Sequence, residues 1–384
     1  MFPFNRRPQN SCPKAGICSG CEWITTPRSQ QLQQKKSHFQ QLWLHEGLPN
    51  FSERLAILDI GKQELRVVCD LSFQRNHPTS TLGFFDMDRE KLIDIDACPA
   101  LVPDLQNFVQ DLASNPPPID RASFRLRVNQ HGQRGMWIDA ANIDIRTLLN
   151  EKRWLRKWMK DAHIEMGQKR KYVLDTPLEI LLDDPILRSW FSTYSPLNNE
   201  DLPLWSIVGG FSQPSVISNR FLIRQTMKLV QTIPTCDWVE FGSGSGNFTL
   251  PLAAYANHIF ATETSTIARQ GLQKALHYNE LQSKVTVSTI NLQRNSQESQ
   301  SIIQKANAML VDPPRSGLHH TLNTLRDAKS QPQDIIYVSC YSHTLIKDAK
   351  ELLKMGYEVQ HIEGVDQFPN TPHCEWIAHF KKIG

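Results

Sequence analysis

CDWVEFGSGSGNFTLPLAAYANH, residues 236–258, is the stretch on which the fold turns. Its first part, Cys236–Phe241, is an apolar run that predicts a buried strand, and Asn247–His258 predicts a helix. Between them Gly242, Gly244 and Gly246 allow positive φ and let the backbone approach a ligand closely. The dinucleotide pattern GxGxxG is not met, because Asn247 or Thr249 falls where its third glycine would stand. A GxGxG loop behind an acidic strand end, Glu240, suits S-adenosylmethionine better. Glu263 closes the next strand, where a carboxylate can hold both ribose hydroxyls.

Downstream, HIFATE, KVTVST, AMLVD, DIIYVSC, YEVQHI and CEWIAHF alternate with helical patterns. With the first strand they predict an α/β class I methyltransferase Rossmann-like domain, a seven-stranded sheet over 201–384. The last two strands are joined too tightly for a helical crossover, so the final one is expected antiparallel. Upstream, ELRVVCDLSF, SFRLRVNQ and GMWIDAANI predict a second, mixed α+β domain from residues 1–26 and 48–200, and 27–47 predict a polar-faced connecting helix that ends at Gly47.

Composition sets outer bounds. The chain has 384 residues, 40% hydrophobic and 21% charged, which describes a folded protein of two or three domains. The amino end lacks the apolar core of a secretory signal, and no window approaches the roughly 20 apolar residues that span a bilayer. A cytoplasmic protein with no membrane contact is expected, and no obligate protein partner is evident. The net charge of +3 and isoelectric point near 8.4 are compatible with a polyanionic partner without requiring one. The densest basic cluster, Lys152, Arg153, Arg156, Lys157, Lys160, Lys169, Arg170 and Lys171, surrounds Trp154 and Trp158, four residues apart on one helical face. Either the helix grips phosphates and stacks its tryptophans on bases, or the tryptophans face a core and the cations face water.

The chemistry sits behind the fourth and fifth strands. AMLVDPPRSG brings Asp312, two prolines and Arg315 to the carboxyl edge of the sheet. Enzymes that methylate exocyclic amines often carry an aromatic residue after the prolines, and Arg315 argues against that reaction. DIIYVSC delivers Cys340 to the same edge, as a candidate nucleophile or a buried core thiol. Carbon 5 of uracil is too weakly nucleophilic to accept a methyl group unless a thiolate first adds at carbon 6. A general base must then remove the carbon 5 proton, and Glu375, in TPHCEW, is the natural candidate. A free thiol with a pKa of about 8.5 also needs a lowered pKa or a base of its own.

VEFGSGSGNF, VDPPRSG, YVSCYSHTL and FPNTPHCEW, in this order, resemble the RNA uracil-5 methyltransferase family over the carboxyl-terminal half. The resemblance implies Cys340 as nucleophile, Glu375 as base and Asp312 as a hydrogen-bonding partner of the target uracil. FSQPS looks like the family segment whose glutamine contacts the cofactor, which adds Gln213. The expected cofactor set is Gln213, Glu240, Gly242, Gly244, Gly246, Glu263, Asn291 and Asp312. Several positions depart from the family pattern. Tyr341 stands where asparagine is usual, Ser342 where proline is usual and Ser215 where asparagine is usual. Glu240 replaces aspartate, and Gly242 replaces a larger residue.

Eight cysteines in a reducing compartment are expected as ligands, catalytic thiols or core residues. Cys12, Cys18 and Cys21 follow C-x5-C-x2-C, with Cys98 distant in DIDACPAL. Three clustered cysteines and a distant fourth followed by proline fit a [4Fe-4S] cluster better than zinc or unligated thiols. Several family members carry such a cluster at matching positions. Cys69, Cys236 and Cys374 are expected in the core. Because the cysteines begin at residue 12, no oligonucleotide-binding domain is expected before them. That pattern resembles family members acting on 23S ribosomal RNA, so the expected partner is ribosomal RNA first and tRNA second. Rivals are RNA cytosine-5 methylation, which usually places a cysteine beside the prolines, and an iron–sulfur RNA-binding protein with an inactive methyltransferase domain.

Overall fold

The computed structural model describes residues 12–50, 55–61, 65–139, 145–167, 171–177 and 179–383. Helix α1 (Arg28–His45) and the short strand β1 (Ala56–Leu58) come first. The next strands are β2 (Val68–Asn76), β3 (Thr79–Phe85) and β4 (Leu92–Asp94), with helix α2 (Pro103–Ser114) after them. Then come β5 (Arg121–Val128), β6 (Arg134–Asp139), α3 (Ile145–Asn150), α4 (Lys152–Met159), β7 (Ala162–Met166), β8 (Lys171–Asp175) and β9 (Ile180–Asp183). A hairpin, β10 (Arg188–Tyr194) and β11 (Asp201–Ser206), leads into α5 (Val216–Val230).

The carboxyl-terminal part alternates strand and helix. It runs β12 (Trp238–Phe241), α6 (Thr249–Leu252), β13 (Ile259–Thr262), α7 (Thr266–Tyr278), β14 (Val285–Ser288), α8 (Gln297–Ile303) and β15 (Ala308–Val311). It continues with α9 (Thr321–Asp327), β16 (Asp334–Ser339), α10 (Ser342–Lys354), β17 (Tyr357–Val365) and β18 (Glu375–Lys382).

Among the described residues these strands form two eight-stranded sheets and the separate hairpin. The first sheet, in the order β4-β3-β2-β5-β6-β7-β8-β9, is antiparallel except where β6 and β7 run parallel across the α3–α4 crossover. Helices α2 and α4 cover it. Leu105, Phe108 and Leu112 from α2 and Trp154, Leu155 and Trp158 from α4 share one core. Trp154 and Trp158 are only 8% and 4% exposed, and the Trp154 indole donates to Asn115 O at 3.0 Å. The tryptophans of the basic cluster are therefore core residues, and base stacking by them is ruled out. Lys152, Arg153, Lys157 and Lys160 point to water, while Lys169 and Arg170 lie outside the described residues.

The second sheet has the order β1-β17-β18-β16-β15-β12-β13-β14. Strands β12 to β16 are parallel, and each of β12, β15 and β16 is buried along its whole length, as expected of strands covered by helices on both faces. β18 runs antiparallel to both neighbours, as its short connection predicts. The expected seven strands become eight because β1 adds parallel to β17, pairing Ala56 with Glu363 and Leu58 with Val365. Three residues are too few for periodicity to reveal. The chain order reverses between β12 and β15, and in open α/β sheets ligands bind outside the carboxyl ends of the strands at such a point.

The sheets divide the chain elsewhere than at the expected 200/201 boundary. The β10–β11 hairpin packs on the second sheet's side, with Tyr194, Leu204 and Trp205 in its core. Helix α1 belongs there too: the Phe39 ring stacks on Trp376 of β18 with centroids 3.8 Å apart. Its buried stripe, Gln31, Lys35, Phe39 and Trp43 at a spacing of four, has two polar members, so it reads as a polar helix in sequence although one face is fully covered.

Candidate active site

The glycine loop leaves β12 in the conformation its composition requires. Gly242 and Gly244 have φ of +72° and +56°, and a side chain on Gly244 would meet nothing within 4 Å, so open space lies before that backbone. The Gly244 amide donates to Glu263 Oε2 at 3.0 Å, and the Ser265 amide donates to Glu263 Oε1 at 2.6 Å. Both oxygens of Glu263 are thus oriented at the tip of β13. Glu240 is 1% exposed, its Oε2 has no hydrogen bond of good geometry, and burial, opposed by the nearby Thr249 hydroxyl and reinforced by Asp312 and Glu263, pushes its carboxyl up to about 8. Asn291, beyond β14, turns its side-chain oxygen to the Gln293 amide at 2.9 Å. A buried carboxyl oxygen without a good hydrogen bond, beside an open glycine loop, fits a ligand that brings its own donors.

Strand pairing brings the second group together. The antiparallel register of β16 and β18 sets Ser339 against Trp376, so Cys340 and Glu375 follow side by side at the carboxyl edge. Val311 pairs with Tyr337, which puts Asp312 on the same edge. Burial, then Glu375 and Asp312, push the Cys340 thiol up to about 11, and only Arg315 opposes them. The site thus does not lower the thiol pKa; it surrounds the thiol with carboxyl groups. Burial and Asp312 raise Glu375 to about 8, and burial raises Asp312 to about 7. One thiol with two carboxyl groups titrating near neutrality is equipped to add a nucleophile and move a proton.

Gln213 is buried and accepts from Gln367 Nε2 at 2.7 Å, and the same nitrogen lies 3.4 Å from Glu375 Oε1. Gln367 therefore bridges Gln213 and Glu375, a link that no motif announced. Nor did any motif point to Glu165 and Arg127. Glu165 accepts from the Val208 and Gly209 amides at 2.7 and 2.9 Å, and buried Arg127 donates to Gly210 O at 2.7 Å, which fixes the loop leading into Gln213. Alternation along SFRLRVNQ puts Arg127 on the face opposite the apolar core, and only the fold shows that this face is also covered. Ser215 caps α5, its Oγ accepting from the Ser218 amide at 3.1 Å. Phe211, two residues before Gln213, is 78% exposed.

The amino-terminal cysteines converge on one cavity with about 650 Å³ of empty space, partly open to solvent, lined by Cys12, Cys18, Cys21 and Cys98 together with Arg66 and Phe84. Burial, then the neighbouring Cys98, Cys18 and Cys12, push the Cys21 thiol up to about 12. Among the described residues no three cysteine, histidine or acidic side chains close on a single metal ion. Four thiols around a cavity suit a cluster, in which each binds a different iron. Cys69 and Cys374 are buried and Cys236 is partly so, each against an apolar core.

Several known proteins are similar to this chain. The profile of the tRNA (uracil-5-)-methyltransferase family matches residues 188–383. An uncharacterized RNA methyltransferase of Bdellovibrio bacteriovorus is 35% identical over 98% of this chain and 96% of its own length. The crystal structure of the Pyrococcus abyssi tRNA (uracil-54, C5)-methyltransferase with S-adenosyl-L-homocysteine superposes with a TM-score of 0.68, covering 94% of this chain and 85% of the other at 18% identity. The family profile and the relative thus show an RNA methyltransferase that uses S-adenosylmethionine. The chain belongs to the tRNA (uracil-5-)-methyltransferase family. No helix among the described residues is long and apolar enough to cross a membrane.

Proposed function

We propose that the enzyme methylates carbon 5 of a uridine in RNA, ribosomal RNA first and tRNA second, with Cys340 as nucleophile and Glu375 as base. The meeting of one thiol with two near-neutral carboxyl groups at a single strand edge carries this reading. S-adenosylmethionine supplies an electrophilic methyl group, and Gln213, Glu240, Gly242, Gly244, Gly246, Glu263, Asn291 and Asp312 would hold it. Arg315 favours the Cys340 thiolate, and Asp312, whose carboxyl sits at about 7, can take the thiol proton, which leaves Glu375 ionised for the later step. Cys340 adds to carbon 6 and creates an enolate whose carbon 5 would take the methyl group as the donor's sulfur–methyl bond breaks and S-adenosylhomocysteine leaves. Glu375 then removes the carbon 5 proton and the Cys340 thiolate leaves, which restores the aromatic ring. Asp312 hydrogen-bonds the uracil during these steps.

The first sheet and the cations on the outer face of α4 would contact RNA phosphates. The ribosomal choice rests on the resemblance of the cysteine pattern to cluster-bearing family members. Mass spectrometry of digested ribosomal and transfer RNA, from cells with and without this gene, should show 5-methyluridine lost at one ribosomal site. Loss confined to tRNA would reverse the order of substrates, and loss in neither would sink the reading.

Cys12, Cys18, Cys21 and Cys98 would hold a [4Fe-4S] cluster. Methyl transfer to uracil consumes no electron, so the four ligands serve to fix residues 12–26 against the first sheet, where Cys18 already bridges to Asp86. Protein purified without air should contain about four iron and four sulfide per chain. One zinc and no sulfide would overturn the assignment.

A further inference from the structure

Residues 366–374 join β17 to β18 and deliver Glu375, yet much of what holds them lies more than 300 residues away in the chain. Gln31, 0% exposed, donates from Nε2 to Asn370 Oδ1 at 3.0 Å and to the carbonyls of Trp23 and Thr26 at 2.9 and 2.8 Å. Its Oε1 accepts from the Asn370 amide at 2.9 Å, and the Trp23 amide donates to Asn370 O at 2.9 Å. Asn370 has a φ of +65°, in the left-handed region that asparagine tolerates better than most residues. One turn along α1, buried Lys35 donates from Nζ to Asp366 Oδ1 at 2.7 Å and to Phe368 O at 3.0 Å.

These ties fall on either side of Gln367, the residue that touches Glu375. Gln31 and Lys35 make no hydrogen bond to the glycine loop or to Cys340. Two polar residues on a buried helical stripe both bond to this loop, and Gln31 joins it to residues 23–26 as well, so the stripe ties the loop to the amino-terminal segment.

We propose that Gln31 and Lys35 are positioning residues for proton removal: they fix the Asp366–Asn370 turn and, through Gln367, the carboxyl group of Glu375. The base is then in place only when α1 and residues 23–26 are docked. This rests on the reading of Glu375 as the base.

The test uses Gln31→Met, and Lys35→Met combined with Asp366→Leu, which removes the buried Lys35–Asp366 pair together and leaves Arg28, the other partner of Asp366, paired with Asp59. Single-turnover reactions on substrate RNA are split into formation of the protein–RNA adduct, read on denaturing gels, and release of 5-methyluridine. S-adenosylmethionine binding and adduct formation should stay within about twofold of the natural protein, while release slows by at least about tenfold and adduct accumulates. The pH dependence of release should shift as well, which a general loss of structure would not cause. Lys35→Arg should recover most of the release rate. Adduct formation and release falling in parallel, or neither changing, would overturn the proposal. If a variant loses cofactor binding through misfolding, Asn370→Gly decides: it keeps the left-handed turn and the two backbone bonds at this position but removes the bond from Gln31 Nε2, so release should slow by about threefold with adduct formation unchanged, and release at the natural rate would overturn the clamp. Absence of any adduct with the natural protein would instead overturn the reading of Cys340 and Glu375.

Discussion

Cys340→Ala should reduce 5-methyluridine formation by at least about four orders of magnitude and abolish the covalent protein–RNA adduct. Without the thiol nothing in the site adds to carbon 6, and carbon 5 never gains enolate character. Folding should be untouched. Cys340 is only partly buried at the end of β16, and removing its sulfur leaves no unpaired charge. S-adenosylmethionine binding, measured by calorimetry, should therefore match that of the natural protein. An adduct persisting on denaturing gels in Cys340→Ala would refute the assignment of the nucleophile.

Glu375→Gln should give the complementary result: adduct forms and accumulates, while product release falls by about 10²- to 10⁴-fold, the usual contribution of a general base. The natural enzyme should also show a pH dependence set by this residue. Its carboxyl group sits at about 8, raised first by burial and then by Asp312. Only the ionised form accepts a proton, so at pH 7 about a tenth of the molecules are competent. The release rate should climb roughly tenfold per pH unit below 8 and level off above it. A rate that falls between pH 6 and pH 8 would contradict the role of Glu375. In Glu375→Gln the residual rate should lose this rise, and if it does not, the titrating group is another one.

The part of the fold built from long buried strands was legible in the sequence, because fully covered parallel strands such as Ala308–Val311 and Asp334–Ser339 leave unbroken apolar runs between turn residues. The glycine loop, Asp312, Cys340 and Glu375 were legible for a related reason: each follows or begins such a run, and strand ends on one edge must meet. Features that depend on distant segments were not legible. Strand β1 has three residues and exists only because β17 offers an edge. Trp154 and Trp158 looked the same whether their face met a core or an RNA base, and α2 decides the matter by covering them. Gln31 and Lys35 resemble the polar face of a solvent-exposed helix until Asp366 and Asn370 are set against them. The state of Cys340 is likewise a sum over Glu375, Asp312 and Arg315, which no local pattern encodes.

The pairing of β1 with β17, together with the packing of α1 on β18, makes the chain a host with a guest inserted. The host is the catalytic body, begun at α1 and β1, interrupted, and resumed at the hairpin from Arg188; the guest is the sheet of β2 to β9 spliced between them. A fragment cut to residues 188–383, the span that matches the family profile, would leave the host without its first pieces. The outer edge of β17 would lie bare with unpaired amides and carbonyls, and the Trp376 ring would lose Phe39. Open strand edges beside apolar patches promote association between copies. A catalytic version therefore keeps α1 and β1, and it keeps the guest as well, because Arg127 and Glu165 of that sheet hold the loop that leads into Gln213.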